Sequence, residues 1–155
     1  MSVLERLLEL LDRSGVDYRV LRHAAVRTSE EAAQVRGTAL ASGAKALICK
    51  ADDRFVLFVM PADLRLDSRA VRKALGARSL RFASGEEVLA LTSLKPGAIP
   101  PFGQLFDLPT YCDEALAAQP TINFNAGDRS VSVGMTSKDY LAIERPMVAR
   151  FARPA

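Results

Sequence analysis

The sequence predicts one domain of the α/β or α+β class, built on a mixed sheet. Three observations carry this reading. Helical and strand-like stretches alternate along all 155 residues, a pattern that packs helices against a sheet. Capping boxes open helices at Ser2/Glu5, Thr28/Glu31 and Ser84/Glu87, each pairing a short hydroxyl with a carboxylate three residues on. In the middle of the chain two apolar runs flank a short polar turn, and such a hairpin requires antiparallel pairing. No linker, repeat or low-complexity stretch interrupts the pattern, so residues 1–155 read as a single domain.

The elements follow in order. After Ser2, the residues Leu4, Leu7, Leu8 and Leu11 recur at helical spacing, and Gly15 suits the left-handed position after the last turn. Residues 17–22 alternate and read as a strand. Thr28 opens a short helix through Ala32, Ala33 and Val35, closed near Gly37. Residues 44–50 and 55–60 form the hairpin strands, with 51–54 as the turn. A helix over 68–75 ends at Gly76, and a strand over 79–82 follows. Ser84 caps a helix over 85–91. A loop rich in proline and glycine spans 95–103. Strands at 110–112, 121–125 and 130–135 come next, and a last helix starts after Thr136 or Ser137.

Composition narrows the function classes. Hydrophobic residues make up 49% and charged residues 25% of the chain, an ordinary globular mixture. Lys and Arg number 21 against 18 Asp and Glu, a net charge of +3. That is compatible with a polyanionic partner and too sparse for a histone-like binder. The one histidine, His23, removes HExxH and paired-histidine metal centres. Cys49 and Cys112 form no CxxC and read as buried small hydrophobes in a reducing compartment. Neither metal nor cofactor is expected. No apolar run reaches the roughly 20 residues that span a bilayer, and acids interrupt the apolar N-terminal stretch, unlike a signal peptide. The expectation is a cytoplasmic protein with no membrane partner.

Generic catalytic motifs fail. Residues 37–45 lack the glycine spacing and the Gly-Lys-Ser/Thr ending of a phosphate loop. Ser42-Gly-Ala-Lys45 fits SxxK, but its SDN and KTG companions are missing. Lys45 follows a glycine at the start of an apolar strand. There it is either an inward cation for a phosphate or carbonyl, or a solvated strand-end lysine, and local pattern favours the latter. His23 reads as a hydrogen-bonded structural residue before a catalytic one. In the 95–103 loop, Pro96, Pro100 and Pro101 stiffen the backbone while Gly97 and Gly103 allow close approach. Such a loop either presents N–H groups to a ligand or makes a rigid crossover, and Phe102 is either a stacking surface or core. Asn125 and Gly127 suit a turn, and Arg129 is either an anion clamp or a surface charge. Arg13, Arg19, Arg22, Arg27 and Arg36 are scattered, the usual pattern of a solvated surface, with a patch for a polyanionic partner as the alternative.

Taken in order, His23, Thr28-Ser-Glu-Glu-Ala-Ala33, Ser42-Gly-Ala-Lys-Ala-Leu47, residues 55–63, Leu80-Arg-Phe-Ala-Ser84, Pro96-Gly-Ala-Ile-Pro-Pro-Phe-Gly103, Tyr111-Cys-Asp113 and Phe124-Asn-Ala-Gly127 form a recognisable set. The chain resembles the YbaK/prolyl-tRNA-synthetase-associated editing domain family over nearly its whole length. The resemblance implies a mixed, mostly antiparallel β-sheet or barrel flanked by helices. It implies a free-standing trans-editing hydrolase that cleaves the ester of a mischarged aminoacyl-tRNA. The family lysine maps to Lys45, its GxxxP loop to Gly97 through Pro101, and its strand-end glycine to Gly127. His23, Thr28, Gly97, Pro101, Phe102, Gly103, Asn125, Gly127 and Arg129 are then expected around the tRNA acceptor end, with Val20, Thr28, Leu47 and Met60 as pocket walls. Some prolyl-editing members carry histidine where this chain has Arg129. That change, with the Ser-Gly-Ala-Lys-Ala-Leu context, points to a subfamily acting on small or hydroxylated amino acids. The other class of reading is a non-catalytic tRNA-end-binding module associated with an aminoacyl-tRNA synthetase.

Overall fold

The computed structural model describes residues 1–155. Ten strands and six helices alternate, three strands and one helix more than the sequence predicts. Helix α1 (Val3–Ser14) is followed by β1 (Arg19–Arg22) and α2 (Ser29–Arg36), then the hairpin β2 (Ala44–Ala51) and β3 (Arg54–Pro61). Next come β4 (Leu64–Leu66), α3 (Ser68–Leu75), β5 (Leu80–Phe82) and α4 (Gly85–Thr92). The remainder is β6 (Thr110–Asp113), α5 (Glu114–Ala117), β7 (Thr121–Asn125), β8 (Val131–Thr136), α6 (Ser137–Glu144), β9 (Met147–Ala149) and β10 (Ala152–Pro154).

The strands form a five-stranded sheet in the order β5-β2-β3-β6-β9, a three-stranded sheet β1-β8-β7 and the pair β10-β4. Pairing is mostly antiparallel; β3–β6 and β6–β9 are parallel. A bridge from Gly43 to Asn123 links the two larger sheets. The hairpin turn is tighter than the predicted one. Ala51 pairs with Arg54, which leaves only Asp52-Asp53 outside the ladder, with Asp52 at φ 54°, where aspartate is tolerated.

Strand β3 reads as an unbroken apolar run because both its faces are covered. Leu57 and Val59 join the larger core with α1, Ile122, Phe124 and Val133. Val56, Phe58 and Met60 point the other way, into a smaller core with Val71 of α3 and Phe151. In β8, by contrast, alternation is strict. Val131, Val133 and Met135 enter the larger core. Ser132 and Gly134 face away, opposite Leu21 and Arg19 of β1 and Asn125 and Asn123 of β7. This second, polar face of the three-stranded sheet frames the site.

The capping boxes at Ser2 and Ser84 form as predicted. At α2 the reciprocal half differs. Thr28 accepts from the Glu31 amide, but the Glu31 carboxylate takes the N–H of Arg27, one residue earlier.

Candidate active site

A cavity of about 180 Å³ opens between α2, the start of β2 and the 95–103 loop. Lys45 reaches its wall from the second residue of β2. Its Nζ donates to the carbonyl of Leu64 at 2.7 Å, which fixes the ammonium and leaves its other two N–H bonds for a ligand. Burial lowers the Lys45 pKa, while the charges of Glu30 and Asp63 oppose that shift and Arg65 adds to it. No carboxylate lies within ion-pair distance of this lysine.

The opposite wall is the loop, strapped down carbonyl by carbonyl. Arg129 donates to the carbonyl of Pro96. The Asn125 amide donates to that of Gly97 at 2.7 Å, and the Gly127 N–H to that of Ala98 at 2.9 Å. One turn, between β7 and β8, therefore holds three successive loop carbonyls. Gly97 has φ 92° and lies so close under Arg129 that a Cβ would sit 3.2 Å from its guanidinium. The positive φ is what calls for glycine there. Within the loop the amides of Ala98, Phe102 and Gly103 are spent on Lys95, Pro100 and Thr110. Those of Gly97 and Ile99, both at the cavity wall, donate to no protein group and are the loop's available donors.

Several expected residues lie elsewhere. Phe102 is fully buried and packs edge-on against Phe124 and Tyr140, so it is core and offers no stacking surface. Pro101 is buried and its carbonyl accepts from the Tyr140 hydroxyl at 2.7 Å. Gly103 is shut in by Thr110 and Leu108; a Cβ would overlap the Thr110 hydroxyl at 2.1 Å. These three residues shape the loop from beneath. Gly127 lies under α1 rather than at the cavity, its Cβ position 3.2 Å from the Leu4 amide. Met60 is in the smaller core, whereas Thr28 and Leu47 do line the cavity.

Arg36, read from sequence as a scattered surface charge, lies at the centre. Its Nε donates to Ser132 Oγ at 2.8 Å and its Nη2 to Asn125 Oδ1 at 3.0 Å. Ser132 in turn meets His23 Nε2 at 2.8 Å, and His23 Nδ1 meets the Ala24 carbonyl at 2.8 Å. Only a protonated Nδ1 can face a carbonyl, so this network fixes the tautomer. A continuous chain of hydrogen bonds thus runs from His23 through Ser132, Arg36 and Asn125 to Gly97. Burial lowers the Arg36 pKa to about 10, which leaves it fully charged at neutral pH. The signal for Arg36 was its register: it follows Ala32, the buried residue of α2, by four positions and so shares that residue's face.

The rest of the chain offers little competing chemistry. Burial pushes the Cys49 and Cys112 thiols up to about 12, which makes them inert. No cluster of three or more His, Cys, Asp or Glu side chains exists to hold a metal. No helix is long and apolar enough to cross a membrane.

This fold, with a lysine and a strapped glycine–proline loop lining one small cation-lined cavity, defines a tRNA-editing class of domain. The model of the aminoacyl-tRNA editing domain matches residues 23–143, and the chain belongs to that family. Editing is hydrolysis, so the chain falls among hydrolases of the aminoacyl-tRNA ester bond. It is 38% identical over 156 residues to the multifunctional Ser/Thr-tRNA deacylase ProXp-y of Escherichia coli K12, covering 97% of this chain and 93% of that protein. It is 34% identical over 117 residues to the proline–tRNA ligase of Shouchella clausii, where the match spans 74% of this chain and 20% of the ligase. Among solved structures, one described as a candidate trans-editing enzyme for prolyl-tRNA synthetase superposes with a TM-score of 0.85 at 29% identity, covering 99% of this chain and 98% of the other.

Proposed function

We propose that this chain is a trans-editing deacylase that releases serine or threonine from mischarged tRNA, with the aminoacyl ester held between Lys45 and the Gly97–Ile99 amides. The observation that carries this is the placement of Lys45. It is anchored by a backbone carbonyl at the wall of a small cavity that Gly97 and Ile99, with their unpaired amides, also line. An aminoacyl ester is already activated, so its cleavage needs a positioned water and a charge to meet the developing oxyanion. Lys45 and the two loop amides supply that charge. No nucleophile and base pair lines the cavity, which fits direct attack by water, positioned by the vicinal ribose hydroxyl of the substrate. Thr28, with its oxygen already accepting from Glu31, keeps its O–H free to donate to a hydroxylated side chain.

The likeness to a Ser/Thr-tRNA deacylase over nearly the full length supports the choice of amino acid. A pocket of about 180 Å³ suits a small side chain. Excluding bulk is the effective means of selection here, since one methylene discriminates by only about 1–3 kcal/mol.

The test is deacylation of a panel of mischarged tRNAs by the wild type and by Lys45→Ala. Release of serine and threonine is expected, with kcat reduced about 10²-fold or more in the variant, the cost of removing one oxyanion donor. Binding of tRNA without any release above the buffer rate would instead identify a non-catalytic module that holds the acceptor end.

A further inference from the structure

A second cavity, of about 240 Å³, lies on the polar face of the three-stranded sheet. The row Arg19, Gly134, Asn123 crosses its floor, one residue from each strand. Gly134 has no side chain to obstruct the row. A Cβ there would lie 2.8 Å from Asn123 Oδ1 and 3.2 Å from the Arg19 guanidinium, so the glycine lets Arg19 lie flat across the sheet. The roof is the end of α2 and the segment after it, which bring Arg36 and Thr38. The Thr38 hydroxyl is buried without any hydrogen-bond partner, the one such side-chain atom in the protein. Neither arginine has a carboxylate within ion-pair distance, and no acidic residue lines either cavity. Two unneutralised guanidinium groups at one cavity make a seat for an anion rich in acceptor oxygens.

Arg36 lines both cavities. They are therefore neighbours that share one guanidinium as a wall. A terminal nucleotide has the matching layout, with the ester on one side of its ribose and a phosphodiester on the other. We propose that the second cavity seats a phosphodiester of the tRNA 3′ end, held by Arg19 and Arg36, while the aminoacyl ester occupies the first. This inference rests on the editing reading and adds a subsite to it. The contacts are made equally in ground and transition states, so they act on binding more than on the chemical step.

The experiment compares seryl-tRNA with 2′(3′)-O-seryladenosine, which carries no phosphate, using wild type, Arg19→Ala and Thr38→Val. Loss of one charge-assisted contact should raise KM for seryl-tRNA about tenfold in Arg19→Ala, with kcat little changed and no penalty on seryladenosine. The log–log salt dependence of kcat/KM should become shallower by about 0.7, one single-strand phosphate contact. Thr38→Val removes a polar atom that has no partner in the fold. Its melting temperature should hold or rise, and its KM for seryl-tRNA should stay at the wild-type value, because that hydroxyl is closed off from the cavity. Equal effects of Arg19→Ala on both substrates, or no effect on either, would overturn the proposal.

The seat can also fail or stand apart from the catalytic reading. If the wild type releases no amino acid, titration with the 5′-phosphorylated trinucleotide pCCA and with inorganic phosphate decides. Binding of pCCA that weakens about tenfold in Arg19→Ala supports the phosphodiester seat. Binding of inorganic phosphate as tight as that of pCCA marks a site for a free anion and overturns it, as does pCCA binding indifferent to Arg19.

Discussion

Lys45 is held under opposing influences. Partial burial lowers its pKa, Glu30 and Asp63 push it back up, and the balance is downward. A lysine acting as a cation contributes only while protonated. Its contribution is therefore full at low pH and is lost as pH rises through a value below the ordinary 10.5. The ratio of enzymatic to buffer hydrolysis should decline on the alkaline side, and Lys45→Arg should carry that decline to higher pH. A ratio that instead climbs through a single inflection near neutrality and disappears in Lys45→Ala would make Lys45 the base. Local pattern favoured a solvated strand-end lysine here, because nothing in the neighbouring residues announces the Leu64 carbonyl that fixes it. The family resemblance selected Lys45 where periodicity did not. Arg36 shows the converse limit: its partners Ser132 and Asn125 lie 96 and 89 residues away, beyond any local signal, and only its register with Ala32 pointed inward.

The elements that sequence reasoning found are those with local signatures: capped helices, the hairpin, and strands of alternating or unbroken apolar residues. The ones it missed, β4, β9, β10 and α5, are only three or four residues long and exist through distant partners. Strand β10 pairs with β4 across the chain, and Asp113 ties it in place. One carboxylate oxygen accepts from the amides of Phe151 and Ala152 at 2.9 and 2.8 Å, while the other caps α5 through Ala115 at 2.9 Å. This late pairing bears on the site, because β4 begins at Leu64, whose carbonyl anchors Lys45. Removing residues 152–155 deletes β10 and keeps Phe151 in its core. A stability loss of about 1–3 kcal/mol is expected from the broken ladder and the loss of the Ala152 amide from Asp113. Turnover of seryl-tRNA should fall as well, up to the roughly 10²-fold that a 1 Å misplacement costs. Chemical denaturation and single-turnover rates would check the two effects. Lower stability with an unchanged rate would show that β4 holds its position without β10.

Across the whole molecule the net charge is only +3, yet its cations are not evenly spread. Arg27, Arg36, Lys45 and Arg129 line the first cavity and Arg19 and Arg36 the second, with no acidic residue in either wall. The two halves of the chain build this together. The first supplies the cations of α2 and β2, and the second supplies the loop and the turn that straps it. Sequence arithmetic gave the total charge correctly and could not give its focus, which depends on Arg19, Arg36 and Arg129 converging from a strand, a helix and a turn. A weak overall charge produces little long-range attraction at physiological salt, where screening acts over about 8 Å. A focused set of contacts still releases counterions from the nucleic acid, each phosphate contributing a slope of about −0.7 on a single strand. We therefore expect kcat/KM for seryl-tRNA to fall between 50 and 200 mM salt with a log–log slope of about −0.7 to −2, corresponding to one to three phosphate contacts. Seryladenosine, with no phosphate, should show a flat profile over the same range. A flat profile for both would mean that these cations never meet the tRNA backbone. A much steeper slope for seryl-tRNA would mean that the arginines outside the cavities, Arg13 and Arg22 among them, carry the body of the tRNA as well.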